Sequence, residues 1–300
     1  MFKKEDQKYN LISYISDKES TLKEILLDDL SFSVRSLSKM KREETVLVNK
    51  EYKKPSTKIN VGDLIEVKIE EEKSNFEPQD LDLNIIYDDF DLIMVEKPPF
   101  MVVHPTKSHS EKTIANGVTH FINEKCENVK IRFVNRLDMN TSGLVIVAKN
   151  AYSHHTLSLD MKNDEVEKVY ITVVKGIVKE EFGTINAPIF TDLEQGIERT
   201  VDERGQASVT HYEVLERLKD ATVLKVRLET GRTHQIRVHM KHINHPIIGD
   251  DLYGYVDLDL INRQALHATS LKFKQPRTKE NLEFISKIPK DMNDLIEKLR

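Results

Sequence analysis

At 300 residues the chain exceeds the size at which one hydrophobic core usually stops growing, so two domains are expected. About two-fifths of it is apolar and a third charged, which excludes a disordered chain, and its longest apolar runs are about five residues, far short of the roughly twenty that cross a bilayer. Cys126 is the only cysteine, which excludes an intrachain disulfide and a multi-cysteine metal site, and no apolar segment follows the lysines of MFKKEDQKYN, so a cytoplasmic protein without membrane attachment is expected.

The net charge of -5 speaks against a general nucleic-acid binder, but its distribution is uneven. Between Ser31 and Lys58 eight basic residues face three acidic ones. In TLKEILLDDL, Thr21 stands three residues before Glu24, a capping-box pattern, and Leu22, Ile25, Leu26 and Leu30 follow at helical spacing. In SVRSLSKMKRE, at about 100° per residue, Arg35, Lys39 and Arg42 share one narrow sector while Val34, Leu37 and Met40 lie opposite. TVLVNK reads as a short strand. VGDLIEVKIE reads as a turn followed by alternation, with Ile65, Val67 and Ile69 on one face and Glu66 and Lys68 on the other.

A solvated helix face is the commoner origin of such a charge run. The order of helix, basic helix, VLVNK and closing VGDLIEV, however, resembles the alpha-L RNA-binding module of a small-subunit ribosomal protein, tyrosyl-tRNA synthetases and many RNA-modifying enzymes. The resemblance covers about Thr21 to Ile69 and implies that Arg35, Lys39 and Arg42 contact RNA. Glu43-Glu44 stands where that module usually has a glycine. The polar stretch SNFEPQD has no periodicity, so the expected division is a small domain over 1–72, a linker over 73–82 and a larger domain over 83–300.

From Leu83 the pattern is rich in strands: LNIIY, the turn DDFD, LIMVE, the break KPP, then MVV before His104-Pro105, where His104 reads as a loop hydrogen-bonding group. KTIANGVTHFINEK predicts a helix. LVIVAK, KVYITVVKG, ASVTHYEVLER and VLKVRLE predict strands, and RTHQIRVHMKHI a helix entered through Gly231 and Thr233. Strands and helices do not alternate regularly, which disfavours a parallel doubly wound sheet, and no Walker or dinucleotide glycine motif is present.

Within IRFVNRLDMNTSGLVIVAKN, Asp138 sits two residues after Arg136 in a polar loop that runs into apolar sequence; alone, such a pair is usually a weak surface ion pair. Here NRLDMNTSGLVIVAKN resembles the RLDxxTSGLLLLAK motif of the RluA/RluD family of RNA pseudouridine synthases. EKPPFMVVHP, KVYITVVKG, ETGRTHQIRVHMKHINHPIIGDDLYG and RQALHATSLKF resemble further motifs of that family in the same order, between about Ile85 and Phe273. Asn135 stands where the family commonly has histidine.

The resemblance implies an α+β catalytic domain with a mixed, largely antiparallel sheet and a central cleft. It implies an isomerase that breaks the bond from uracil N1 to ribose, turns the base and rejoins it through C5, with no redox cofactor and no metal. Asp138 is then the nucleophile, at C1′ or at C6, and Arg237 the partner that holds it ionised. Tyr170 would lie against the uracil ring and take part in removing the C5 proton, although its place between Val169 and Ile171 equally suits a buried strand residue. Arg136 would fill the space left by a flipped-out uridine, and Arg232 would contact the RNA backbone. The implied partner is structured ribosomal or transfer RNA, bound by a monomer.

Two other classes compete. His234, His239, His242 and His245 with Asp250 and Asp251 suggest a metal-dependent hydrolase, though the paired HExxH arrangement is missing. A non-catalytic RNA-binding or ribosome-assembly protein could keep the same fold, against which the intact set of Asp138, Tyr170 and Arg237 argues.

Overall fold

The computed structural model describes residue 2 and residues 6–70, 73–127, 129–191, 198–254 and 256–300. The chain opens with β1 (Leu11–Ile15), β2 (Ser20–Thr21) and α1 (Leu22–Glu24), which continues as one π turn over Ile25–Asp29. Thr21 and Glu24 cap α1 reciprocally: the Thr21 N–H donates to Glu24 at 2.9 Å and the Glu24 N–H to the Thr21 hydroxyl at 3.3 Å. Next come α2 (Val34–Glu43), β3 (Val46–Val48), β4 (Glu51–Tyr52), β5 (Lys58–Ile59) and β6 (Leu64–Lys68). Four of these strands form a small sheet in the order β1-β6-β3-β4.

The sequence pattern gave no strand at β1, yet it pairs antiparallel with all of β6, from Leu11 opposite Lys68 to Ile15 opposite Leu64. Ile12, Val46, Val48, Ile65 and Val67 bury one face against Leu22, Ile25, Leu26 and Leu30. On α2 the expected apolar face is only partly used. Leu37 is buried, but Val34 is 70% exposed, because it is the first residue of the helix and the core beneath begins a turn later. Glu44, where the RNA-binding module usually has glycine, ends α2 in the left-handed region (φ 52, ψ 38), which costs roughly 1–2 kcal/mol for a residue with a β-carbon.

Residues 73–82 carry no helix or strand, and they are pinned to the helix that follows. The Asn116 amide donates to the Glu77 carbonyl at 2.8 Å, the Lys112 N–H donates to the Gln79 side chain at 2.7 Å, and Phe76 packs against the core cluster to which the helix contributes.

The larger part contains β7 (Asn84–Asp88), β8 (Leu92–Lys97), α3 (Ile114–Glu124), β9 (Arg132–Phe133), β10 (Ser142–Ala148) and α4 (Ala151–Lys162). It continues with β11 (Glu167–Lys175), β12 (Phe182–Asn186), β13 (Ile189–Thr191), β14 (Arg199–Val201), β15 (Val209–Arg217) and β16 (Ala221–Leu228). Last come α5 (Gln235–His242), β17 (Leu266–Lys274), β18 (Asn281–Ile285) and α6 (Lys290–Leu299). A ten-stranded sheet runs β12-β15-β16-β11-β17-β10-β8-β7, with β18 on β17 and β9 on β10. Every pairing is antiparallel except β10 with β17, so the fold is α+β with a mixed, largely antiparallel sheet, as expected.

β8 and β10 are buried on both faces, which is why each reads as a near-continuous apolar run. Ile93, Val95 and Val147 face α3, while Leu92, Met94, Leu144, Ile146 and Ala148 share a second core with Leu157 of α4. The β10–β17 junction is short, joining Ser142–Gly143 to His267–Ala268. Gly143 (φ 119) is required there, because a β-carbon would come within 2.2 Å of the Ala268 carbonyl oxygen.

Candidate active site

β10 shares its second edge among three partners, and this division creates the loop that carries Asp138. Ser142 and Gly143 pair with β17, and Val147 and Ala148 pair with β9. Between them, the Asn135 side chain substitutes for a strand: its amide donates to the Leu144 carbonyl at 3.1 Å and accepts from the Ile146 N–H at 2.8 Å. Residues 136–141 therefore leave the sheet at its middle.

The loop is fixed on the C-terminal side of Asp138 as well. The Asp138 carbonyl accepts the Thr141 N–H at 3.1 Å, closing a tight turn. Lys97, at the end of β8, donates to the carbonyls of Pro98, Met101 and Met139, each at 2.8 Å. Burial, reinforced by the charge of Arg263 and opposed by Asp138, pushes Lys97 down to about 7, while three carbonyl acceptors match the three N–H groups of an ammonium. Arg263 is buried, paired through two donors to Asp291 of α6 at 2.6 and 2.9 Å, and its third nitrogen donates to the Asn140 carbonyl at 3.1 Å.

Asp138 itself is 28% exposed, and it meets α5. Arg237 Nη1 donates to its Oδ2 at 3.1 Å. The rest of that guanidinium is committed to Asp250: Nε to Oδ2 at 2.7 Å and Nη2 to Oδ1 at 2.8 Å. Asp250 is fully buried and also accepts the N–H groups of Leu252 and Tyr253, both at 3.0 Å. Arg237 thus cannot swing, and its free edge is presented to Asp138. The Tyr253 ring lies under Arg237 at 5.0 Å.

α5 owes its position to Gln235, whose amide is fully used. Its oxygen accepts from Thr230 and from the Arg232 N–H at 2.8 and 2.9 Å, and its nitrogen donates to the Val209 carbonyl and the Thr210 hydroxyl, both at 3.0 Å. The helix starts at Gln235, later than the pattern suggested, because His234 is left-handed (φ 58, ψ 17).

The structure brings Asp138, Arg237 and Tyr170 together. Tyr170 lies at a bulge of β11, opposite Ala268 of β17, and its phenol is pushed well above the usual range by burial and then by the charge of Asp138. Such a phenol stays protonated at neutral pH. Arg136 is exposed, and among the described residues no hydrogen bond or ion pair engages its guanidinium; its charge, after burial, pushes His104 down. His104 packs against Phe133 at 4.4 Å. Arg232 is exposed at the mouth of α5, beside a cleft that Arg199 and Arg204 also line, and donates to the Ala207 carbonyl at 3.3 Å. Arg35, Lys39 and Arg42 are exposed on α2, apart from this group, with Lys39 paired to Glu70 and Arg42 to Glu43.

The histidines of the hydrolase reading diverge. His234 contacts Tyr253, His239 contacts Thr210 and the Ala187 carbonyl, and His245 the Lys175 carbonyl. Among the described residues no three metal-ligating side chains converge, and no helix is long and apolar enough to cross a membrane. Tyr253, Lys97 and Arg263 entered no catalytic reading of the sequence, and Asp250 entered only the hydrolase reading, because each acts through a contact that no local pattern reveals.

A mixed sheet with a carboxylate presented at its middle by a buried arginine is the arrangement of an enzyme site. Residues 91–242 match the family model described as RNA pseudouridylate synthase, and the chain belongs to that family, in its RluA branch. It is similar to the uncharacterized RNA pseudouridine synthase YlyB of Bacillus subtilis (strain 168), at 43% identity over 85% of this chain and 86% of that protein. It is also similar to ribosomal large subunit pseudouridine synthase D of Escherichia coli (strain K12), at 37% identity over 86% of this chain and 83% of the relative. Among solved structures, Human RNA Pseudouridylate Synthase Domain Containing 1 superposes with a TM-score of 0.59 at 27% identity, covering 71% of this chain and 86% of that one. The chain is an RNA pseudouridine synthase.

Proposed function

We propose that this enzyme converts particular uridines of ribosomal RNA to pseudouridine, with Asp138 as the nucleophile. The observation that carries the assignment is the unequal sharing of Arg237: two donors are locked to buried Asp250, and the remaining one holds Asp138 at the open side of the cleft. A uridine must leave its stack to reach Asp138, at a cost of a few kcal/mol. Arg136, exposed two residues away, fills the vacated position, and its planar guanidinium can stack and hydrogen-bond there. Asp138 then attacks C1′ or C6, the N1–C1′ bond breaks, and Tyr170 lies against the detached uracil while it turns; C5 bonds to C1′, the bond to Asp138 breaks, C5 gives up its proton and N1 gains one. The reaction moves a base within one nucleotide, so it balances without oxidant, reductant or cofactor.

The likeness to a ribosomal large subunit pseudouridine synthase favours ribosomal over transfer RNA. Residues 1–72 serve as an RNA-binding module through Arg35, Lys39 and Arg42, residues 73–82 connect it, and residues 83–300 form the catalytic domain, with Arg232 holding the RNA backbone near the site. The enzyme acts as a monomer in the cytoplasm. The test is chemical mapping of pseudouridine in total RNA from cells with the gene, without it, and with Asp138→Asn. The same discrete ribosomal sites should vanish in both altered strains; sites retained with Asp138→Asn would remove Asp138 from its role, and sites lost from transfer RNA would reassign the substrate.

A further inference from the structure

We infer that His234 is the second donor to Asp138 and positions its carboxylate for attack, an assignment that rests on the pseudouridine synthase reading of the site. The imidazole lies between two oxygens, with Nδ1 2.8 Å from the Tyr253 hydroxyl and Nε2 3.9 Å from Asp138 Oδ1. The Tyr253 hydroxyl already accepts the Arg199 N–H at 2.7 Å, so its own hydrogen is available to Nδ1. The ring hydrogen then sits on Nε2 and faces the carboxylate. The opposite tautomer would set a nitrogen lone pair against a negative oxygen. Burial pushes His234 below its ordinary value, Asp138 pulls the other way, and Arg237 and Arg199 side with burial, so the ring is neutral at pH 7 and has a single N–H to place.

Two further observations favour a role in the site over packing. His234 adopts a left-handed backbone, which is strained for a residue with a β-carbon, and the site gains an imidazole there. Tyr253 is itself fixed, edge-on to His234 at 5.5 Å and beneath Arg237 at 5.0 Å. With Arg237 on Oδ2 and His234 facing Oδ1, both oxygens of the carboxylate are addressed by donors. The His234 contact exceeds hydrogen-bond length, so the assignment requires the Asp138 carboxylate to come about 1 Å closer to Nε2 when a uridine occupies the cleft.

The test uses the full chain and a ribosomal RNA transcript tritiated at uracil C5, which releases its label when C5 joins the ribose. In His234→Asn the rate at saturating RNA should fall on the order of 10- to 100-fold, with KM and melting temperature close to the parent's, because asparagine tolerates the left-handed backbone. Tyr253→Phe, which removes the hydroxyl that orients the ring, should lose part of that rate, and the double variant should be no slower than His234→Asn alone. A His234→Asn rate within about two-fold of the parent, or losses that multiply in the double variant, would overturn the assignment. Absence of tritium release by the parent would overturn the ribosomal RNA reading of the substrate, and the same comparison on a C5-tritiated transfer RNA transcript would then decide the assignment.

Discussion

Arg237 lies between two aspartates of unequal standing. Burial alone would raise Asp250, but two Arg237 donors and the N–H groups of Leu252 and Tyr253 outweigh it and hold the carboxyl below its ordinary 3.8. A carboxyl held below its unfolded value binds fewer protons when folded, so its contribution is whole above about pH 4 and is lost as the pH falls further, through the folded value. Asp250→Asn, which leaves Arg237 buried beside a neutral partner, should cost about 3–5 kcal/mol. Thermal unfolding between pH 7 and pH 3 should show a lower melting temperature and a weaker acid dependence than the parent; equal acid slopes would show that Asp250 is not the group titrating. At this scale the sequence was legible where motifs resemble a family, as at Asp138 and Arg237. It was silent where a residue works through a distant contact: nothing near Arg263 announces that it holds the Asn140 carbonyl, 123 positions away.

Among the elements, β8, β10, β11 and β16 were plain from their β-branched runs, α1 from its cap and apolar spacing, and α3 from its helical sequence pattern. α4 was not, because AYSHHTLSLDMK scatters its apolar residues around the helix and only its position beneath β10 makes it fold. β1 was missed because LISYI shows no clear alternation, and the β6 strand it pairs with lies 49 to 57 positions away. α2 shows the converse, a clear charge pattern with an exposed basic face. Its ion pairs to Glu70 and Glu43 are superficial and contribute little, so the same side chains remain able to exchange carboxylates for phosphates. Neutralising Arg35, Lys39 and Arg42 together to Gln should make the plot of log affinity for ribosomal RNA against log salt shallower by about two to three units. An unchanged slope would take RNA contact away from this helix.

At the scale of the whole molecule, the small sheet and the large one are joined by a buried charge. Arg277 is fully buried, pairs with Asp91 at 2.8 Å, and donates to the Gln7 side chain and to the Lys8 and Leu11 carbonyls at 3.1, 2.9 and 2.7 Å. Tyr152 of α4 adds an apolar contact, 4.9 Å from Phe32 in the core beneath the small sheet. No local pattern in the sequence foretold this junction, since it depends on an arginine in an ordinary turn after β17. Arg277→Met would leave Asp91 buried without its cation and should cost about 3–5 kcal/mol, seen as a lower melting temperature and faster proteolysis near β1. A melt identical to the parent's would show that the junction contributes nothing to stability.

The order of the large sheet also sets a timetable for synthesis. β17 lies between β11 and β10, yet it is almost the last strand to be made, and Ser142 reaches its partner His267 across 125 residues. At about 5–20 residues per second, a translating ribosome leaves β10 waiting for its neighbour for roughly ten seconds. During that interval two strand edges at the centre of the sheet stay unpaired and Asp138 has no cleft around it. A nascent chain that stops before residue 274 is therefore expected to be both catalytically inert and prone to aggregate, which makes the arrival of β17 the event that closes the sheet around Asp138.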